Sequence, residues 1–300
     1  MNIKTAFKSN RLMKSLTGMT INEINNLTVT FTHIFETNRQ INHKKNKKQR
    51  QLGGGRKHKL STTLEKLFFI LFYIKCYPTF DLAGFYFDVN RSQTLRWTQA
   101  LLPILEQTLG HNIVLPKRQI HTKEEFAKTF PEIKDLFIDG VERPINKPKN
   151  KKQNRKNYSG KKKRHVKKNI IVSNDKKEIL FLSPTDHGRV HDKKLLDKNM
   201  LISVIPDKTA VWLDTGFQGI QKQKDNIMMP KKKPKSKKLS IEDKQENKII
   251  SSIRIKVEHA INGVKRFKSI SDIFRNHRIK LEDRLMLVAC GLWNYHLKMS

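Results

Sequence analysis

Leu136-Phe137-Ile138-Asp139-Gly140 is an apolar run closed by an acid and a glycine, and Ala210-Val211-Trp212-Leu213-Asp214-Thr215-Gly216 repeats that grammar. Each reads as a buried β-strand with its aspartate at the C-terminal edge. Open α/β sheets hold their sites at that edge, so on neighbouring strands the two carboxylates would meet. The C-terminal half is therefore expected to be an α/β domain built around Asp139 and Asp214.

A third acid lies further along. Ile249, Ile253, Val257, Ile261 and Val264 keep a helical apolar stripe. Glu258 falls beside it, on a flank shared with Arg254, Asn262 and Lys265. Carboxylate oxygens suit hard cations such as Mg2+ and Mn2+. Two such ions about 3.5–4 Å apart can activate an attacking oxygen and stabilise a leaving one in phosphodiester displacement. Arg254 and Lys265 would grip phosphates beside them. Taken singly, Asp139 and Asp214 read equally well as turn caps, and Glu258 as an ion-pair partner of Arg254. Three acids in strand, strand, helix order inside a strongly basic chain point to a site.

The composition asks for a polyanionic partner. Across 300 residues there are 62 Lys and Arg against 27 Asp and Glu, a net charge of +35. Such a field implies nucleic acid or an acidic membrane surface. The longest apolar run, Leu67 to Ile74, is far short of the ~20 residues of a membrane span, and the N-terminus lacks the apolar segment of a secretory signal. Cys76 and Cys290 show neither ligand nor disulfide spacing, which fits a reducing compartment. The charge is blocky. Thr37 to Leu60 holds nine Lys/Arg and no acid, Arg143 to Lys168 thirteen and no acid, and Lys231 to Lys238 six lysines. Such self-repelling runs are expected to be arms or loops.

The N-terminal part reads as helical. Thr20 with Glu23 forms a capping box ahead of an apolar stripe through Ile24, Leu27, Phe31 and Phe35. A basic arm with Gly53-Gly54-Gly55 follows, read as a flexible linker or as an arm entering a minor groove. A second capping box, Thr62 with Glu65, opens a buried helix that Pro78 stops. Thr79 caps a short helix, and Asn90 with Gln93 caps a third, which Pro103 should kink or shorten and Gly110 should end. Short helix, tight turn and a helix with a polar N-terminal face make a helix-turn-helix layout. Ser92, Gln93 and Arg96 are the candidate base-reading residues, since Arg and Gln make bidentate contacts to base edges. The plainer alternative is a helical bundle whose polar face is only solvated. His187 and His191 have a spacing that could serve zinc, but Pro184 and Gly188 argue for a loop there. His187 then reads as exposed, and His191 and Asp192 as a helix cap near the site.

Taken together, these blocks resemble the bacterial insertion-sequence and Harbinger-like DDE transposases. The resemblance runs from about Leu16 to Tyr295 and includes Gly53-Gly54-Gly55-Arg56-Lys57, Asp139-Gly140-Val141-Glu142, Tyr158 to His165, His191-Asp192-Lys193-Lys194 and Asp214-Thr215-Gly216-Phe217-Gln218-Gly219. Its most specific piece is Arg254, Glu258 and Lys265 at the spacing these enzymes show around the catalytic glutamate. Ser251 stands where they usually carry tyrosine. The resemblance implies an RNase H-like mixed sheet with flanking helices and an N-terminal all-α helix-turn-helix domain. It implies Asp139, Asp214 and Glu258 as a metal-binding catalytic triad using two Mg2+ or Mn2+ ions. Lys161 and Lys162, with Arg254 and Lys265, would contact DNA. The expected organisation is an N-terminal helix and basic arm over 1–54, a helix-turn-helix domain over 55–115 and a catalytic domain over 130–298. The expected partners are double-stranded DNA, at element ends and target, and further copies of the chain, in a bacterial cytoplasm and not at a membrane. Two readings compete: a transposase-derived DNA-binding regulator without catalysis, and a basic RNA-associated protein.

Overall fold

The computed structural model describes residues 3–45, 58–233, 238–276, 278 and 280–300. The Gly53-Gly54-Gly55-Arg56-Lys57 arm lies outside them. The chain divides into two compact units. The first comprises Met1–Leu115, Arg266–Asp272 and Arg284–Ser300, and the second Pro116–Lys265 and Ile273–Asp283. The N-terminal helices and the helix-turn-helix share one unit, and the last helix joins them instead of the α/β part.

In the first unit, α1 (Ile3–Ala6) and α2 (Asn10–Thr17) precede α3 (Ile21–Lys45). The Thr20–Glu23 capping box forms, with Thr20 N–H donating to Glu23 Oε2 at 2.5 Å and Glu23 N–H to Thr20 Oγ1 at 3.2 Å. Ile24, Leu27 and Phe31 anchor the first half of this helix, which runs on to Lys45, into the basic segment expected to be an arm. The Thr62–Glu65 box opens α4 (Thr63–Cys76), in which every residue from Leu67 to Ile74 is buried. Thr79 caps α5 (Phe80–Phe87) and Asn90 caps α6 (Arg91–His111). Gly84 makes the turn between them possible: a Cβ there would stand 2.5 Å from the Val89 carbonyl oxygen. Helix α6 continues through Pro103 and past Gly110, so neither shortens it.

The second unit carries α7 (Lys123–Thr129), β1 (Asp135–Pro144), α8 (Lys151–Asn157), β2 (Tyr158–Ser159), β3 (Arg164–Ser173), β4 (Ile179–Leu182) and β5 (Asp186–His187). Then come α9 (Asp192–Lys198), α10 (Leu201–Val204), β6 (Ala210–Trp212), β7 (Ile227–Met228) and α11 (Ile241–Lys265). The chain closes with α12 (Lys268–Ser271) and α13 (Leu281–Met299). One mixed sheet has the order β2-β3-β1-β6-β7, with β4 and β5 also on β3. β1 is antiparallel to β3 and parallel to β6.

Two expectations change here. The basic run from Arg143 to Lys168 is not a loop: it supplies the end of β1, α8, β2 and the start of β3. The acid-free stretch is ordered because alternate residues, such as Val166, turn into the interior. Of the Lys231–Lys238 run, residues 231–233 and 238 are irregular, and 234–237 lie outside the described residues.

Side-chain alternation along β1 sorts the two faces. Leu136 and Ile138 enter a core with Leu195, Leu196, Leu201, Val211 and Phe217. Phe137 turns to the other face, stacked on Trp212 and covered by the Lys256 ammonium of α11 at 5.6 Å. Asp139 shares that face.

Candidate active site

Asp139 does not end its strand. β6 pairs with β1 only as far as Phe137, while β3 continues beside β1 to Pro144. Asp139 therefore sits mid-strand, just beyond the point where its parallel neighbour stops. Asp214 follows β6 and caps the turn Thr215–Phe217. The two aspartates leave adjacent parallel strands at the same end, as Asp-Gly and Asp-Thr-Gly after apolar runs suggest.

Each carboxylate is oriented through one oxygen. Gly140 N–H donates to Asp139 Oδ1 at 2.7 Å, and Thr215 N–H donates to Asp214 Oδ1 at 2.7 Å. Neither Oδ2 accepts a hydrogen bond among the described residues. Burial pushes the Asp139 carboxyl up to about 6, and negative charge on Asp214 and Asp192 adds to the rise. The Gly140 N–H and the Arg254 guanidinium oppose it.

Helix α11 packs on β1 and β3 and brings Arg254 inward. The buried stripe of α11 is Ile250, Arg254, Val257, Ala260, Ile261 and Val264. Ile249, expected in that stripe, is 59% exposed. Arg254 thus lies in the stripe and not on its flank, because Asp214 Oδ1 is 3.7 Å from its guanidinium and compensates the buried charge. Glu258, one turn on, is exposed and makes no ion pair with Arg254. Among the described residues no three of His, Cys, Asp and Glu stand together as a ready metal cluster.

Arg254 and Lys265 lie near the pair. Lys161 and Lys162 are exposed in the turn between β2 and β3. Desolvation holds the Lys265 ammonium below its ordinary range, together with nearby Lys162 and Arg164, against the pull of Asp139 and Glu142. In the first unit Ser92 and Arg96 are exposed and Gln93 partly so, on the first turns of α6.

Sequence reading did not single out Lys168, Glu142 or the side-chain role of Asp192. The buried Lys168 ammonium bridges Glu142 at 3.1 Å and Asp192 at 3.0 Å. Their only advance signal was an acid opposite a lysine at Glu142 and Lys168, legible once the register of β1 on β3 is known. His191 is the N-cap residue of α9 but makes no side-chain cap bond. His187 is half-buried, not exposed, and its Nδ1 is engaged by Asn157 at 3.0 Å and Lys167 at 3.3 Å.

These features coincide with known families. DDE superfamily endonuclease matches residues 138–294, and helix-turn-helix of DDE superfamily endonuclease matches residues 58–111. A probable transposase for insertion sequence element IS702 from Microchaete diplosiphon is 29% identical over 253 residues, covering 82% of this chain and 84% of that protein. No solved structure matches the chain. The endonuclease match spans more than half of the residues and contains both strand aspartates and Glu258: this chain belongs to the DDE superfamily endonucleases.

Proposed function

We propose that the chain is a DNA transposase of an insertion sequence, cutting at element ends and joining the freed 3′-hydroxyl to target DNA. The observation that carries this reading is the convergence of Asp139, just beyond the last β1–β6 pair, and Asp214, just after β6, each with Oδ2 unengaged. That donor set fits a hard divalent cation. Asp139 and Asp214 would hold Mg2+ or Mn2+ through those oxygens, with Glu258 as the third donor and two ions in the full site. Bound there, the cations supply charge stabilisation to the phosphodiester oxygens.

The chain's own residues do the rest. Gly140 and Thr215 N–H groups keep both carboxylates facing one way. Arg254 balances the charge of Asp214. Lys162 and Lys265, with Lys161, hold the phosphate backbone without reading bases. Ser92, Gln93 and Arg96 read the element end from helix α6. In this reading the catalytic region, 130–298, is RNase H-like, residues 55–115 are the reading domain, and residues 1–54 are the helix and basic arm. Several copies synapse two inverted repeats, in a bacterial cytoplasm.

The test is nicking of element-end DNA in Mg2+ by Asp139→Ala, Asp214→Ala and Glu258→Ala. Each is expected to abolish cleavage while binding DNA as wild type does. Cleavage by all three variants at the wild-type rate would refute the assignment. A wild-type chain that binds element ends but never cleaves would favour the regulator.

A further inference from the structure

Beneath the two aspartates, on the opposite face of β1, lies an arrangement that the proposed chemistry does not use. Gly140 and Glu142 alternate away from Asp139, and Glu142 stands opposite Lys168 in the β1–β3 register. From α9, Asp192 reaches into this corner. Its Oδ1 lies 2.9 Å from where a Cβ at position 140 would be, and its Oδ2 lies 3.5 Å from the corresponding point at 216. The carboxylate therefore fills the space that a side chain at 140 would need, and lies within ordinary van der Waals reach at 216. Gly140 follows Asp139 directly, and Gly216 follows Asp214 by two residues. One carboxylate thus touches the backbone behind both metal-facing acids.

Asp192 is itself held fast. Lys168 Nζ donates to its Oδ1 at 3.0 Å, to the Val190 carbonyl at 3.2 Å and pairs with Glu142 Oε1 at 3.1 Å. Ser159 Oγ donates to both oxygens of Glu142 at 3.2 Å. The Lys168 side chain is 9% exposed, so its charge depends on these two acids.

We propose that Asp192 is a positioning residue of the cation site: anchored by Lys168, it props the Gly140 and Gly216 backbones and sets the separation of Asp139 from Asp214. The inference rests on the reading of that pair as the cation holders. It gives the glycine after Asp139 a cause, since any side chain at 140 would displace the prop. Groups that orient metal ligands from behind cost about 10–100-fold in metal affinity or activity when removed.

Mn2+ binding to the full chain, followed by loss of the free-ion EPR signal, tests this without relying on cleavage. Asp139→Ala gives the reference loss for the pair itself. Asp192→Ala is expected to weaken Mn2+ binding by about 10–100-fold and to lower kcat for nicking with KM for DNA unchanged. Asp192→Asn keeps the shape and an acceptor for Lys168, and should recover most of the affinity. If Asp192→Ala does not fold, Gly140→Ala carries the same test by pushing the carboxylate aside. Wild-type Mn2+ affinity in the variant that folds, against a clear loss in Asp139→Ala, overturns the positioning role and leaves the pair standing. Equal losses in Asp192→Ala and Asp192→Asn overturn it as well, because charge and not shape would then be what the site needs. Undiminished binding in Asp139→Ala overturns the pair and the inference together.

Discussion

Replacing Asp139 by asparagine should stabilise the cation-free protein while destroying its activity. In the unfolded chain this carboxyl titrates near its ordinary 3.8, and in the fold burial pushes it up to about 6. The folded state therefore binds more protons than the unfolded state between those values. Stability falls as pH rises through that window and stays lower above it. At 1.36 kcal/mol for each pH unit, the ionised carboxylate costs about 3 kcal/mol above pH 6. Asparagine is nearly isosteric, keeps an acceptor for the Gly140 N–H and carries no charge. For a unit of this size the gain corresponds to about 6–12 °C in Tm, as an upper bound. The assay is thermal melting of both proteins in EDTA at pH 7.5 and at pH 3.5. Asp139→Asn should melt higher at pH 7.5, and the two should nearly coincide at pH 3.5, where the aspartate is protonated in the fold and mostly protonated in the unfolded chain. Adding Mg2+ should raise the wild type alone. An asparagine variant no more stable at pH 7.5, or more stable by the same amount at both pH values, would refute the reasoning.

Four further outcomes follow from other parts of the molecule. Asp283 accepts from Thr185 Oγ1 at 2.6 Å and from Arg118 at 2.7 Å, and against the opposing effect of burial these partners hold its carboxyl below the ordinary range. Its stabilisation is thus present above the unfolded-state value and lost as pH falls through the folded one, so Asp283→Asn should cost about 1.5–3 kcal/mol at pH 7 and progressively less as pH falls below the ordinary carboxylate range in urea melts. A Cβ at Gly188 would meet Val166 Cγ2 at 2.4 Å and the Asn157 carbonyl oxygen at 2.7 Å; Gly188→Ala should therefore destabilise by about 1–3 kcal/mol, and an unchanged melting curve would contradict it. DNA affinity should fall by about 10³–10⁵ between 50 and 200 mM salt if roughly 6–10 phosphates are neutralised, and the double variant Gln93→Ala with Arg96→Ala should lose preference for element ends in footprinting while keeping that salt slope.

Local chemistry was legible wherever neighbours in sequence are also neighbours in space. The capping boxes at Thr20–Glu23 and Thr62–Glu65 and the caps at Thr79 and Asn90 all depend on groups within one helical turn, and each formed as read. The pairing of Asp139 with Asp214 was legible for a related reason. A repeated apolar-run–Asp–Gly pattern specifies two like strand ends, and like strands in an α/β unit lie parallel. What the linear pattern could not decide is which partner extends a strand or buries a charge. β1 outruns its aspartate because β3 supplies an antiparallel ladder that β6 does not. Arg254 sits inside an apolar stripe because Asp214, far away in sequence, compensates it there. Lys168 is buried because two acids from β1 and α9 meet it. Net charge and composition made the basic run from Arg143 to Lys168 look like a solvated loop, yet most of it is sheet and helix. A charged residue costs little in a strand whose alternate side chains face solvent, and only the tertiary register says which ones do. Local hydrogen bonds and periodicity therefore belong to the sequence alone, whereas the compensation of buried charge belongs to the fold, because its energy depends on groups that only folding brings within reach.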